Sequence, residues 1–104
     1  MLYTHHKHVN QLTSLLIQHG IKEIVVCPGA RNAPLAHNFS ISPEFSCYAV
    51  TDERSAAFFA MGLSLAAQRP VAICVTSGSA LLNTLPAVAE AFYQHIPLLV
   101  ISAD

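Results

Sequence analysis

Apolar and polar positions follow two different periods along the chain. From Lys7 to about His19, Val9, Leu12, Leu15 and Leu16 fall on one side, with Asn10, Gln11, Ser14 and Gln18 opposite. That 3.6-residue spacing predicts an amphipathic helix. Gly20 supplies a left-handed stop after it. The run from Glu23 to Cys27 is short, β-branched and broken by Pro28-Gly29, so it predicts a buried strand entering a tight loop. A short helix from about Pro34 to Phe39 and a second strand from Phe45 to Val50 follow. From Asp52 to Gln68 no proline interrupts the chain, and Ala, Phe, Met and Leu surround the axis, predicting a helix buried all round. Val71 to Val75 is a third β-branched run, ended by the turn formers Thr76-Ser77-Gly78-Ser79. A further helix runs to about His95, kinked at Pro86 unless it begins only at Leu85. Leu98 to Ser102 completes the pattern as a fourth strand.

Strands alternating with helices require helical crossovers, and right-handed helical crossovers join parallel strands. The fold class is therefore α/β, a parallel sheet flanked by helices. In open parallel sheets the ligand side lies beyond the carboxyl ends of the strands. Here that side comprises the segments 28–32, 51–54, 76–79 and 102–104, which hold most of the unusual polar residues.

The chain has 104 residues, enough for one hydrophobic core and too few for two. With 53% hydrophobic and 11% charged residues it is not disordered, and its apolar richness points to surface meant for a partner, another domain or a second subunit. A net charge of −1 gives no electrostatic footprint for nucleic acid or an anionic membrane. No apolar run is long enough to span a bilayer and no signal-peptide core opens the chain, so a cytoplasmic protein is expected. Cys27, Cys47 and Cys74 are odd in number, lack CxxC spacing and sit in or beside strand-like runs, which predicts buried reduced thiols. His5, His6 and His8 lie at a polar chain start, where solvation outweighs metal binding, and no metal ligand is assigned.

Three loops carry candidate chemistry. Arg31, after the Pro28-Gly29 turn, presents a planar fork suited to a carboxylate or phosphate, although a plain surface arginine fits the same position. Glu53 stands in Thr51-Asp52-Glu53-Arg54 where a strand meets a helix. Capping and the helix dipole explain one carboxylate there and leave the other charges to a pairing of Arg54 with Asp52 or to catalysis. Thr76-Ser77-Gly78-Ser79 fits either a plain cap or an anion cradle, and it has neither the lysine of a P-loop nor the GxGxxG spacing.

Taken in order, these loops resemble the pyrimidine-binding domain of thiamine-diphosphate (ThDP) enzymes, in which a glutamate at a helix start contacts the cofactor's aminopyrimidine. Thr51-Asp52-Glu53-Arg54-Ser55, the stretch from Val75 to Asn83 and the following Pro86-Ala87 look like SEPHCHC synthases of menaquinone biosynthesis, rather than the acetolactate-synthase-like branch with its His-Glu-Gln and Ser-Gly-Pro-Gly stretches. Cys27 to Pro34 matches that family's Pro-Gly-Ser-Arg motif with one departure, Ala30 in place of serine. The missing hydroxyl removes one substrate-side hydrogen bond, on the order of 1 kcal/mol.

The resemblance implies an N-terminal pyrimidine-binding domain over residues 1–104, incomplete and truncated after its fourth strand, with the middle and diphosphate-binding domains absent. For the complete enzyme it implies a ThDP- and magnesium-dependent transferase that decarboxylates 2-oxoglutarate and adds the succinyl unit to isochorismate. Its magnesium ligands would lie outside this chain. Glu53 takes the catalytic place, and Glu53, Ser77, Gly78, Ser79 and Asn83 the cofactor-binding places. Arg31 and, beside it, Asn32 take the substrate-binding places. A homo-oligomer is expected, because ThDP sites lie between domains of different subunits, and the fragment alone is expected to be inactive. The rival readings are another ThDP-dependent 2-oxoacid enzyme and a non-catalytic flavodoxin-like binding module.

Overall fold

A computed structural model describes residues 2–104. Helix α1 (Lys7–Gln18) leads into strand β1 (Glu23–Val26), α2 (Ala33–Ile41), β2 (Ser46–Ala49), α3 (Glu53–Ala67) and β3 (Val71–Thr76). A single turn, α4 (Ser79–Leu82), precedes α5 (Leu85–Gln94) and β4 (Leu98–Ala103). Helix α1 stops where Gly20 turns to φ 77°. Its N–H bonds the Ile17 carbonyl at 3.1 Å, and the Ile21 N–H bonds that of Leu16 at 3.0 Å, so two orphan carbonyls are satisfied before the chain enters the sheet.

All strand pairs are parallel and the order is β2-β1-β3-β4. From β1 the chain first steps outward to β2, then returns to place β3 on the other side of β1. This reversal puts a crevice between the loops that leave β1 and β3. Strand alternation divides the core into two layers. Ile24 and Val26 pack with Val9, Leu16, Leu35 and Phe39 from α1 and α2. Val25, Ile73 and Val75 pack with Ala56, Ala60 and Ala87 from α3 and α5 on the opposite face.

Helix α3 departs from the sequence expectation of burial all round. Only its small-residue stripe, Ala56, Ala57, Ala60 and Ser64, is buried, while Leu65 is 61% exposed and Phe58 and Phe59 also reach solvent. Apolar residues around the axis therefore mark a second face that stays partly open to solvent, with Phe59 meeting the Tyr48 ring of β2 edge-on. Leu15, assigned to the apolar side of α1, is exposed as well. Of the two alternatives for the segment up to His95 the structure has the second: the helix begins only at Leu85, after the separate turn α4. Pro86 sits in the first turn of α5, where its missing N–H is harmless, so the chain breaks at Asn83 and Thr84 instead of kinking.

Glu23 and Arg69 form a two-pronged ion pair at the amino end of the sheet, remote from the ligand side. Arg69 Nε donates to Glu23 Oε1 at 2.9 Å and Nη2 donates to Oε2. Hydrogen bonding to Arg69 holds the Glu23 carboxyl below the usual glutamate range, against the opposing effect of burial. A depressed folded-state pKa gives stability that is present above the unfolded-state value, about 4.3, and is lost as pH falls through the folded-state value. The parent protein is thus expected to be more stable than Glu23→Gln in urea titrations at neutral pH, with the gap closing as acid protonates Glu23. A gap of equal size at neutral and strongly acidic pH would contradict this linkage.

Candidate functional site at the carboxyl ends of the strands

The loop after β1 is tied to β3. Cys27 N–H bonds the Cys74 carbonyl at 2.9 Å. A Cβ on Gly29 would stand 3.1 Å from Cβ of Thr76. A glycine is favoured here by the close approach of two loops, since a larger residue would make Thr76 give way, and not by its φ angle. Asn32 is fully buried, and its Nδ2 donates to the Cys27 carbonyl at 2.8 Å. The side chain therefore braces the loop from inside, and its buried Oδ1 has no hydrogen-bond partner.

Arg31, next to it, points the other way. It is exposed and lines a cavity of about 490 Å³ together with His6, His8, Pro34, Ser102 and Asp104. Among the described residues the only ion pair is Glu23 with Arg69, so the Arg31 guanidinium has no carboxylate within bridging distance. A separate cavity near the chain start, lined by Tyr3, Asn10, Thr13 and Asn38, is held by a polar network that sequence reading missed. Thr4 N–H donates to Asn38 Oδ1 at 2.9 Å, Asn10 Nδ2 to the Thr4 carbonyl at 2.9 Å, and Asn38 Nδ2 to Asn10 Oδ1 at 2.8 Å. Asn38 is completely buried in α2, where it follows His37 and precedes Phe39, and no local pattern of the sequence marks it.

Glu53 opens α3. Asp52 caps the helix by accepting from Ser55 N–H at 2.9 Å, a bond that holds its carboxyl below the ordinary aspartate value. Among the described residues Arg54 and Asp52 form no ion pair, the alternative the sequence offered for these charges. Glu53 is half-buried, and its Oε1 accepts from Asn83 Nδ2 at 3.3 Å. Below it, burial and then the negative charges of Glu53 and Asp52 push the Cys27 thiol up to about 11, so this sulfur stays neutral at physiological pH. Burial pushes Cys74 up to about 12 with the same result. Cys47 corrects the expectation of three buried thiols: it lies on the edge strand β2 and is exposed.

The loop after β3 turns at Gly78, with φ 79° and ψ −134°, a conformation open chiefly to glycine. Gly78 occupies the N-cap place of α4 without any side-chain cap bond, so Ser77 and Ser79 do not serve as plain caps. Ser77 is half-buried, and Gly78 and Ser79 are exposed beside Asn83, whose N–H bonds the Ser79 carbonyl at 3.0 Å. Of the residues singled out in the sequence, the structure thus brings Glu53 and Asn83 into contact, with Ser77, Gly78 and Ser79 on the adjoining loop. It places Arg31 in a separate cavity. Among the described residues no three His, Cys, Asp or Glu side chains gather as a metal site, and no helix is long and apolar enough to cross a membrane.

Comparison with known proteins gives this arrangement a context. The family model for the thiamine pyrophosphate enzyme, N-terminal TPP binding domain, matches residues 6–104; thiamine pyrophosphate is another name for ThDP. A 2-succinyl-5-enolpyruvyl-6-hydroxy-3-cyclohexene-1-carboxylate (SEPHCHC) synthase of Bacteroides thetaiotaomicron is 59% identical over 103 residues, 99% of this chain and 19% of that protein. The synthase of the same name from Flavobacterium johnsoniae is 60% identical over 85 residues, 82% of this chain and 15% of that protein. The chain thus spans less than a fifth of the length of these curated relatives. Among solved structures, benzoylformate decarboxylase from Polynucleobacter necessarius superposes with a TM-score of 0.81 at 24% identity, over 92% of this chain and 18% of that one, a likeness of fold.

Proposed function

Because the chain belongs to the thiamine pyrophosphate enzymes that share this N-terminal TPP binding domain, we propose that it forms the pyrimidine-side half of a ThDP site in a longer SEPHCHC synthase. The observation that carries this reading is Glu53, half-buried at the start of α3, with one carboxylate oxygen engaged by Asn83 from the crossover after β3. The other oxygen is left for a ring nitrogen. The residues present fit the group: an open loop at Gly78 gives access to backbone, and a neutral Cys27 thiol beneath Glu53 adds no competing charge.

In this reading Glu53 holds the aminopyrimidine and exchanges a proton with its ring nitrogen, while Ser77, Gly78 and Ser79 line the ring and Asn83 supports Glu53. When bound, ThDP supplies the electron sink that lets a 2-oxoacid lose carbon dioxide and its remaining carbon attack an acceptor. Arg31 binds a substrate carboxylate through its fork, and Asn32 fixes the loop that presents it. The substrates proposed are 2-oxoglutarate and isochorismate, both acids. Magnesium and the diphosphate are assigned to domains of the longer protein, in the cytoplasm. The apolar faces of α3 and α5, where Phe92 is 74% and Tyr93 78% exposed, are assigned to contacts with those domains and with a second subunit.

The test is an assay of the full-length protein with 2-oxoglutarate, isochorismate, ThDP and magnesium. Formation of SEPHCHC, dependent on ThDP, is expected. Carbon dioxide release from a different 2-oxoacid without any SEPHCHC would instead identify another ThDP enzyme. A folded protein that neither binds ThDP nor releases carbon dioxide would overturn the proposal.

A further inference from the structure

We infer that Asn83 is the positioning residue of Glu53: its amide reaches from the α4–α5 corner and determines which carboxylate oxygen is left to face a ligand. The inference rests on the proposed ThDP reading of Glu53. The two side chains meet at 3.3 Å across 30 residues of sequence, from crossovers that leave different strands. Each is held from behind. The Asn83 N–H is bonded to Ser79, and the adjoining Thr84 is buried with its hydroxyl donating to the Leu81 carbonyl at 2.7 Å. On the other side the Asp52 cap fixes the first turn of α3, on which Glu53 stands.

A glutamate on an otherwise open first turn samples several rotamers. An amide engaged with Oε1 narrows that choice and leaves Oε2 as the outward oxygen. The chemistry of the amide suits a carboxyl group that must exchange a proton. Nδ2 donates to the carboxylate and Oδ1 accepts from the carboxylic acid, so the contact survives either state. A lysine or arginine there would favour the charged state alone. The other titratable groups around the pair are Asp52 and Arg54 on α3 and the Cys27 thiol at the end of β1; α4 contributes none.

The test uses the full-length protein and reads ThDP affinity by calorimetry, with magnesium, across a pH series. Asn83 is exposed and Asn83→Asp is isosteric, so folding is not at issue. Two carboxylates within hydrogen-bonding reach do not readily ionise together, and the pH midpoint of ThDP affinity is expected to rise by about one unit or more in Asn83→Asp. Asn83→Ala is expected to weaken ThDP binding about tenfold, the loss of one hydrogen bond to a charged group, with a smaller change of midpoint. An Asn83 that does not engage Glu53 would leave both the midpoint in Asn83→Asp and the affinity in Asn83→Ala at parental values. An unshifted midpoint in Asn83→Asp, with Glu53→Gln abolishing the pH dependence, overturns the positioning role and leaves the ThDP reading standing. Parental affinity at every pH in Glu53→Gln removes that reading, and the inference with it.

Discussion

Glu53→Gln in the full-length protein is expected to lower turnover by at least about 10²-fold while leaving the fold intact, the scale at which positioned proton transfer contributes to catalysis. The two halves of this expectation have separate causes. Glutamine keeps the length of the side chain and an oxygen that accepts from Asn83, so the 3.3 Å contact is preserved. The helix start is preserved too, because the cap is Asp52 and not Glu53. Losing a carboxylate near the helix N-terminus costs only a few tenths of a kcal/mol to ~1 kcal/mol. What disappears is the capacity to exchange a proton with a ring nitrogen. Turnover near the parental rate, with an unchanged urea midpoint, would remove Glu53 from the chemistry. Asp52→Asn is the control: asparagine is an equally good cap, and activity close to parental is expected from it.

The assignment of roles to these two neighbouring carboxylates shows where sequence reasoning reached and where it stopped. β-Branched runs bounded by turn formers marked β1 and β3, the alternation of elements marked β2 and β4, and the helical period marked α1 to within one residue, because strand and helix periodicities are local properties of the chain. Gly20 was legible for the same reason. Which of Thr51 and Asp52 caps the helix was not legible, since either short polar side chain at that edge can do so. Burial failed in a more instructive way. Helix α3 reads apolar all round, yet only its small-residue stripe of Ala56, Ala57, Ala60 and Ser64 is fully covered, and Phe58 and Phe59 stay partly exposed. Composition records that a surface is meant to be covered, without recording whether the cover lies in the same chain. The break at Asn83 and Thr84 was left open because Pro86 is compatible with a kink or a first turn. That break matters, since it carries Asn83 across to Glu53, a contact spanning 30 residues that no local pattern encodes. Asn32 and Asn38 were hidden for the opposite reason. Both are polar residues in buried places, where only the three-dimensional network reveals what each amide holds.

The same geometry makes Arg31 separable from Glu53 by kinetics. Arg31 lies in its own cavity of about 490 Å³, free of carboxylate partners among the described residues, and it is exposed. Its removal leaves no buried charge unpaired, so Arg31→Ala is expected to change stability by no more than about 0.5 kcal/mol, as for ordinary surface substitutions. Its effect should fall on substrate. A hydrogen bond to a charged partner contributes about 1.5–3 kcal/mol, which predicts a rise in KM for the acidic substrate of about ten- to a hundredfold. If the fork binds ground state and transition state alike, kcat changes much less than KM, because uniform binding lowers KM without accelerating the chemical step. Arg31→Lys should recover only part of the loss, since a lysine keeps the charge and forfeits the planar pair of donors. Steady-state kinetics with each acid varied in turn would identify which carboxylate the fork takes. Unchanged KM for both acids in Arg31→Ala would sink the assignment, and a collapse of kcat at constant KM would move Arg31 from substrate binding to the transition state.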